Sequence, residues 1–394
     1  MNRRTARPDG VPAAILLGLL GTAGMFYVNL MPAIVSGLRD ALGYSNAEAG
    51  YVAAANVYGA SAGALTAVFL VGRLPWKRVQ VVALLLLAAI DAASVGVSRL
   101  EPLILLRALH GLCGGVSIGI ALAVMARTRI PQRAYGAQFT MQVLLGGIGL
   151  MFLPEAAARH GTGVLFVTLG ALALAALAAL PFLPDYPAVP VPTLATAGAP
   201  RWQPLAATLG ALFLFQSANM ALFAFIIPLG RAYGLALPFI DGALGAANWI
   251  AAAGSLAAMW AGDRFGRRRP LLVAAGAAVA GTCAFIWSAS PLVFMLANVV
   301  TGIAWSFTVP YLFGMCAKFD GAGRAATLGG FCSKMGLASG PLVAPWVIGA
   351  DRYGILVAWA VGALMLCAIL AYRPAGQLDR RDGAATAGAG VPSD

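Results

Sequence analysis

Four ionisable side chains lie inside long apolar segments of this chain, where each needs a chemical reason to be present. They are Asp91, Arg107, His110 and Lys334. A charged group in the middle of a hydrocarbon layer costs about 3 kcal/mol on insertion scales, so such groups are rare there. Asp91 and His110 could exchange protons, and the two cations could bind an anion. The residue types therefore predict proton or anion chemistry within the apolar segments.

Lys334 is the most isolated of the four, in the stretch GGFCSKMGLASG at residues 329–340. It lies ten residues into its segment, which is about 15 Å along a helix and close to the centre of a bilayer. If it faces a water-filled cavity, its ammonium would attract a carboxylate or a similar anion. Alternatively it is structural and pairs with a buried acid, for which Asp91 is the candidate.

Arg107 and His110 are three residues apart and so share one face of a helix, which continues through Gly111 and Gly114. His110 could titrate near neutral pH, or it could be a neutral histidine hydrogen-bonded within a bundle. Asp91 lies at an overlapping depth in the preceding segment, so a salt bridge with Arg107 is a further possibility. That pair would be structural, or part of a proton pathway.

The composition indicates a membrane protein with many spans. Hydrophobic residues make up 60% of the chain and charged residues 10%, whereas about 25% of the residues in a soluble domain are charged. The net charge of +12 could suggest nucleic acid. However, most lysines and arginines fall in alternate loops, which is the pattern of cytosolic loops in membrane proteins. We therefore expect both termini to be cytosolic and no nucleic-acid partner.

Twelve apolar segments are long enough to cross a bilayer as helices. They cover residues 12–37, 47–70, 79–98, 102–126, 134–155, 162–183, 204–230, 238–261, 270–288, 291–316, 324–349 and 353–372. The longest break is rich in proline and alanine and divides them six and six. The expected domains are an N-terminal bundle at 1–183, a cytosolic linker at 184–203, a C-terminal bundle at 204–372 and a disordered cytosolic tail at 373–394.

The two halves repeat. AANVYGASAGAL begins at residue 54 and AANWIAAAGSLA at residue 246, and a second match aligns Gly111 with Gly302 at an offset of 191 residues. The basic loops at 72–78 and 263–269 align at the same offset. The predicted fold is therefore an all-α membrane protein of twelve transmembrane helices, arranged as two pseudo-symmetric six-helix bundles with a substrate path between them.

The loop GDRFGRRRP at residues 262–270 resembles the loop signature of the major facilitator superfamily, and the span count and repeat extend that resemblance over nearly the whole chain. The resemblance implies that Asp263 pairs with Arg267 and faces a helix of the other half, which holds the cytosolic gate shut. The first-half copy of the loop has Gly72 in place of the acid, so the corresponding gate contact is expected to be weaker in the first half. The gating residues implied are Gly262, Asp263, Arg264, Gly266, Arg267 and Arg268. A plain positively charged loop is the alternative.

A second stretch, RALHGLCGG at 107–115, resembles the arginine-and-glycine pattern on span 4 of many proton-coupled members of the family. The resemblance implies a proton-coupling role for Arg107, and Asp91 and His110 are the other candidate proton-coupling residues. Uncharged polar residues in other spans are the remaining candidates for substrate binding beside Lys334. They are Asn29, Asn56, Gln142, Asn219, Asn248 and Trp305. Each could instead hold helices together or fill the core.

The expected function is secondary active transport of a small organic anion by alternating access, coupled to protons. The alternatives are proton-antiport efflux of amphiphilic compounds and a non-transporting membrane sensor. No enzyme, metal or phosphate-binding motif is present, so no cofactor is expected. The partners are a small-molecule substrate, protons and lipid, and the protein is expected to be a monomer. An alanine-, glycine- and arginine-rich composition suggests a bacterial inner membrane.

Overall fold

The computed structural model describes residues 5–71, 73–129, 131–187, 201–262, 264–319, 324–349 and 352–388. These residues are almost entirely helical, and no strand occurs among them. The helices are α1 (Val11–Asn29), α2 (Met31–Leu42), α3 (Asn46–Leu70), α4 (Trp76–Ser94), α5 (Leu100–Met125), α6 (Pro131–His160), α7 (Gly163–Ala179), α8 (Trp202–Ala224), α9 (Ile226–Ala232), α10 (Leu237–Ala261), α11 (Arg268–Ala284), α12 (Pro291–Lys318), α13 (Arg324–Ile348) and α14 (Tyr353–Gly388).

Each predicted segment coincides with one helix or with two consecutive helices. Within the described residues, ten helices are long and apolar enough to cross a membrane. The helix α4 is not among them because it carries Lys77, Arg78 and Asp91. Large apolar side chains such as Met259, 77% exposed, and Ile369, 67% exposed, lie on the helix surfaces. Such surfaces suit a lipid environment, in which the outside of the protein needs no polar side chains.

Two segments break at equivalent places. The first is interrupted at Leu30, between α1 and α2, and the seventh at Phe225, between α8 and α9. A proline follows each break, Pro32 in the first and Pro228 in the second. Proline has no backbone N–H and its ring clashes with the carbonyl four residues earlier, so the helix cannot continue unchanged. The repeat seen in the sequence is therefore present in the local structure.

The chain forms two compact units. The first contains the described residues up to 187 together with residues 223–245 and 341–346, and the second contains 201–222, 246–340 and 347–388. In the first unit α3 packs tightly against α5. A side chain at Gly63 or Gly115 would collide with the backbone of the facing helix, so glycine permits this close approach.

Residues 373–388, expected to be a disordered tail, are instead a continuation of α14 as far as Gly388. Contacts with the loop before α11 accompany this helical extension, as described below. Residues 389–394 lie outside the described part of the chain.

Candidate functional site

Three of the four ionisable residues meet in one buried cluster of the first unit. The Arg107 guanidinium on α5 donates to Asp91 Oδ1 on α4 at 2.8 Å. His110, one turn beyond Arg107, places its Nε2 atom 3.2 Å from Asp91 Oδ2. Arg107 is 0% exposed and Asp91 is 1% exposed. The buried ion pair considered from the sequence is therefore formed, and we call these three residues the charged trio.

Asn56 on α3 completes the surroundings of the trio. Its amide nitrogen lies 2.9 Å from His110 Nδ1 and 3.2 Å from the backbone carbonyl of Arg107. Because the carbonyl can only accept, the amide must present N–H groups on this side, and His110 Nδ1 then accepts a hydrogen bond. The Nε2 atom lies on the other side of the ring, toward Asp91 Oδ2. The trio thus joins a carboxylate, a guanidinium and an imidazole in one buried place.

Aromatic rings and polar groups enclose the Arg107 guanidinium. Its central carbon lies 4.5 Å from the centre of the Phe166 ring on α7 and 6.0 Å from that of Tyr27 on α1. The second terminal nitrogen donates to Ser94 Oγ and to the carbonyl of Ile90. Cation–π contacts and hydrogen bonds both favour the charged form of the arginine. The Arg107 guanidinium is therefore held in place from three other helices, α1, α4 and α7.

Lys334 has very different surroundings. It lies ten residues into α13, and its side chain is half-buried. Within the described residues, its ammonium forms no ion pair and no hydrogen bond, whereas Asp91 is taken by Arg107 and His110. The alternative in which Lys334 pairs with Asp91 is therefore wrong. The ammonium is a deep cation whose counter-charge the described protein groups do not supply.

A polar network lies one residue away from Lys334. Gln216 on α8 donates to Ser333 Oγ at 2.7 Å and accepts from the indole N–H of Trp305 on α12, also at 2.7 Å. Helices α8 and α13 come close because Gly336 faces α8, where an added side chain would meet the backbone of Phe213. Lys334 follows Ser333 directly in the helix, about 100° further round its axis. Three helices of the second unit thus hold an organised polar network that ends one residue before Lys334.

The other candidate binding residues are divided between the two units. In the first unit, Asn29 ends α1 and donates to the backbone carbonyl of Gln142 at 3.2 Å. In the second unit, Asn219 donates to a carbonyl of its own helix, and Asn248 is half-buried. Asn56 is only 2% exposed and uses its amide on the charged trio. The structure therefore links Trp305 through Gln216 to Ser333, the residue before Lys334, and places Asn56 with Arg107 and His110.

The basic loop before α11 contains two glycines with positive φ, Gly262 at +45° and Gly266 at +67°. Such angles are left-handed and favour glycine because it has no Cβ. The carbonyl of Gly262 accepts from the Tyr311 hydroxyl at 2.8 Å. Arg264 stacks near the ring of Trp260. Asp263, the expected partner of Arg267, lies outside the described residues.

The extension of α14 supplies the acids that contact this loop. Asp379 accepts the backbone N–H groups of Arg267 and Arg268 at 2.7 and 3.0 Å, so it neutralises the N-terminus of α11. The Arg267 side chain donates to Asp382 at 2.7 Å. Arg268 lies 3.6 Å from the centre of the Tyr372 ring. Part of the pairing expected from Asp263 is therefore provided by the C-terminal helix.

Sequence reasoning missed two sets of residues. Asp241 is a further ionisable residue within a predicted segment, and it lies only three residues inside the segment 238–261. It is 1% exposed. Asp379 and Asp382 were missed because they lie in a polar tail with no pattern that predicts docking. The signal that could have identified Asp241 is that it and Glu155 are acids at the ends of two predicted segments, 238–261 and 134–155.

Comparisons with known proteins agree with this architecture. A family model described as Major Facilitator Superfamily matches residues 16–345. No curated protein gives a significant sequence match. A mutant of the nucleoside transporter NupG has a TM-score of 0.77 at 12% identity, over 93% of this chain and 100% of that chain. The D-xylose-proton symporter has a TM-score of 0.71 at 15% identity, over 91% and 96%.

A third similar structure is the human organic anion transporter MFSD10 (TETRAN). Its TM-score is 0.62 at 15% identity, over 93% of this chain and 100% of that chain. At this level of identity, these structures establish the fold.

Proposed function

We propose a transport function for this chain, which belongs to the major facilitator superfamily. The specific proposal is secondary active transport of a small organic anion, coupled to protons, by alternating access. Members of this family move small molecules across membranes. The protein is proposed to act as a monomer in a bacterial inner membrane, with both termini in the cytosol.

The observation that carries the anion proposal is the unpaired ammonium of Lys334. A cation deep in a membrane protein costs several kcal/mol unless a counter-charge or water compensates for it. The described protein groups provide no counter-charge. A carboxylate of a substrate would supply it, and would gain a charge-assisted hydrogen bond. Binding of an anion would therefore relieve the cost of the buried lysine.

The polar network beside Lys334 supports a site that can orient a ligand. Gln216 is fixed at both ends, by Ser333 and by Trp305, so its position is set before any ligand arrives. Preorganised polar groups reduce the entropy lost on binding. The Trp305 ring adds an apolar surface for the carbon skeleton of the ligand. Asn219 and Asn248 remain proposed contributors from neighbouring helices of the second unit, and Asn29 and Gln142 from the first.

The charged trio is the proposed proton-coupling element. His110 accepts a hydrogen bond from Asn56 at Nδ1. A proton added to Nδ1 would point at the Asn56 N–H, so that two donors would face each other, and the buried cluster would gain a positive charge. Protonation therefore requires Asn56 to move, which would couple the charge of His110 to the packing of α3 against α5. Similar folds include a protein named as a proton symporter and another named as an organic anion transporter, and both activities are compatible with this architecture.

Flux measurements in proteoliposomes test the proposal. With an imposed pH gradient, labelled mono- and dicarboxylates are compared with lipophilic cations and uncharged sugars. We expect carboxylate flux, and a loss of about 10- to 100-fold in apparent affinity for Lys334→Ala, since a hydrogen bond to a charged group contributes about 1.5–3 kcal/mol. Lys334→Arg keeps the charge and serves as the matched control.

Two results would contradict the proposal. Carboxylate flux that is unchanged in Lys334→Ala would remove the role of the ammonium. Flux of lipophilic cations without flux of carboxylates would favour efflux of amphiphilic compounds instead.

A further inference from the structure

Asp241 is buried in surroundings that disfavour a charged carboxylate. It is 1% exposed, and neither carboxyl oxygen has a hydrogen-bond partner in the part of the chain that the structure describes. An ionised carboxylate without a hydrogen bond or a cation is strongly disfavoured in such a place, and the group takes up a proton instead. The anion proposal does not use this residue, which lies at the opposite end of α10 from the basic loop.

Glu155 on α6 faces Asp241 with two groups that act in opposite directions. Its carboxyl group disfavours a negative charge on Asp241, whereas its backbone N–H favours one but does not outweigh the effect of burial. Glu155 pairs with Arg159, one turn further along α6, at 2.5 Å. That arginine is therefore already engaged, and its side chain is 69% exposed. A negative charge on Asp241 would meet another acid with no cation of its own.

Helices α6 and α10 are packed antiparallel at this point. Gly245, one turn beyond Asp241, approaches the Gly147 carbonyl closely enough that an added Cβ would lie 2.8 Å from it, and it also faces Met151. Glu155 is one turn beyond Met151, so the pairs 245/151 and 241/155 are successive layers of one contact. Glycine permits the approach that buries Asp241.

Further contacts in the first unit join the same ends of other helices. Arg231 on α9 donates to Asp40 on α2 at 2.6 Å, and Ser36 donates to the same carboxylate at 3.0 Å. Gly50 on α3 packs against the backbone of Pro341 on α13. The distribution of basic residues predicts that these ends face away from the cytosol. We call this set of contacts the outer contact region.

We propose that Asp241 is a proton-binding site of the outer contact region, occupied while these helix ends are packed together. When they separate, Asp241 meets water and releases its proton to that side. The packed state therefore holds one more proton than the separated state. By linkage, acid on the outer side stabilises the packed state, and a rise in pH favours separation. This inference goes beyond the proposed function because it involves another residue, another ligand and another end of the helices.

Cysteine labelling tests the proposal without requiring a transport substrate. Ser36→Cys is nearly isosteric and lies in the contact region at 3% exposure; the five native cysteines are replaced. In vesicles, a membrane-impermeant maleimide is applied from outside between about pH 6 and pH 8. The same cysteine is placed in Asp241→Asn and Glu155→Gln backgrounds, so the intrinsic pH dependence of the thiol cancels.

Relative to the Asp241→Asn background, labelling of the parent should rise with pH, approaching about tenfold per pH unit for one linked proton. The Glu155→Gln background should keep that rise. Parallel pH profiles in the parent and Asp241→Asn would overturn the proposal, and so would loss of the rise in Glu155→Gln alone.

A second measurement needs no substitution at position 241. Infrared difference spectra of the parent chain between acid and alkaline buffer should show a protonated-carboxyl band that is present at neutral pH. Absence of any such band would overturn the proposal. Neither readout depends on anion transport, so a failure here is distinct from a failure of the proposed function.

Discussion

At equivalent positions between two packed helices, the two sequence repeats carry residues of different chemistry. At the offset of 191 residues that aligns Gly111 with Gly302, the charged trio corresponds to Thr282, Asn298 and Thr301. These residues lie on two helices that pack against each other, since Gly281 on α11, next to Thr282, faces Thr301 on α12. One repeat therefore buries an aspartate, an arginine and a histidine where the other buries only neutral side chains.

Two of the three neutral side chains donate a hydrogen bond within their own helix, and the Thr282 hydroxyl has no partner within the described residues. Asn298 donates to the Phe294 carbonyl at 2.8 Å, and Thr301 donates to the Ala297 carbonyl at 2.7 Å. The trio instead joins α3, α4 and α5 through side chains. Since the fold forms the equivalent contact without charges, packing alone does not require Asp91, Arg107 and His110. The difference favours a role for the trio in chemistry that the second repeat does not perform.

The largest expected effect comes from breaking the trio at one member. Asp91→Ala leaves the Arg107 guanidinium buried without its carboxylate, and removal of one partner of a buried pair costs about 3–5 kcal/mol. Thermal unfolding in detergent measures the loss. Thr282→Ala is the matched control in the other repeat and should cost about 1 kcal/mol or less, since no charge is exposed to an apolar interior.

Equal losses for the two substitutions would contradict the comparison. They would mean that leaving the Arg107 charge without its carboxylate costs no more stability than removing a neutral side chain.

A triple exchange sharpens the comparison by giving the first repeat the chemistry of the second. The variant Asp91→Thr, Arg107→Asn and His110→Thr removes the whole buried network. Replacement of a complete buried ion pair by neutral groups is often neutral or stabilising by about 1–4 kcal/mol, so the unfolding temperature should recover relative to Asp91→Ala. Proton uptake that accompanies carboxylate flux should disappear.

If the triple variant were as unstable as Asp91→Ala, the trio would be structural. If it were stable and kept its proton coupling, the proton would travel elsewhere.

The sequence predicted the helices well because hydrophobic runs determine them directly. The family match confirms the resemblance carried by the loop at 262–270, and the break before Pro32 has a local cause. The pairing of Arg107 with Asp91 was one of several alternatives, because depth in a bilayer does not specify which helix faces are adjacent. The isolation of Lys334 likewise depends on which side chains the neighbouring helices bring near it.

Asp241 and the tail acids show where sequence reasoning fails. Asp241 lies at the end of an apolar run, where a carboxylate normally reaches water, and only the close packing at Gly245 buries it. Asp379 lies in a stretch whose composition predicts disorder. Its order coincides with contacts to Arg267 and Arg268, more than a hundred residues earlier in the chain. Such contacts are properties of the tertiary structure and have no local signature.

The smallest expected effect concerns the basic loops of the two repeats, each of which contacts an acid that follows the sixth predicted segment of its half. In the first repeat Lys77 pairs with Asp185 at 3.1 Å, and the Asp185 side chain is 86% exposed. In the second, the Asp379 side chain is 26% exposed and accepts two backbone N–H groups at the start of α11. An exposed ion pair contributes little, whereas a side chain that caps a helix contributes about 1 kcal/mol.

Asp379→Ala should therefore lower the free energy of unfolding by about 1 kcal/mol, and Asp185→Ala by about 0.3 kcal/mol. Thermal unfolding of both variants under the same conditions gives the comparison. Hydrogen exchange of the backbone N–H groups of Arg267 and Arg268 should accelerate only in Asp379→Ala, because only that carboxylate accepts them. A larger loss for Asp185→Ala would show that the charge pair, and not the helix cap, stabilises these loops.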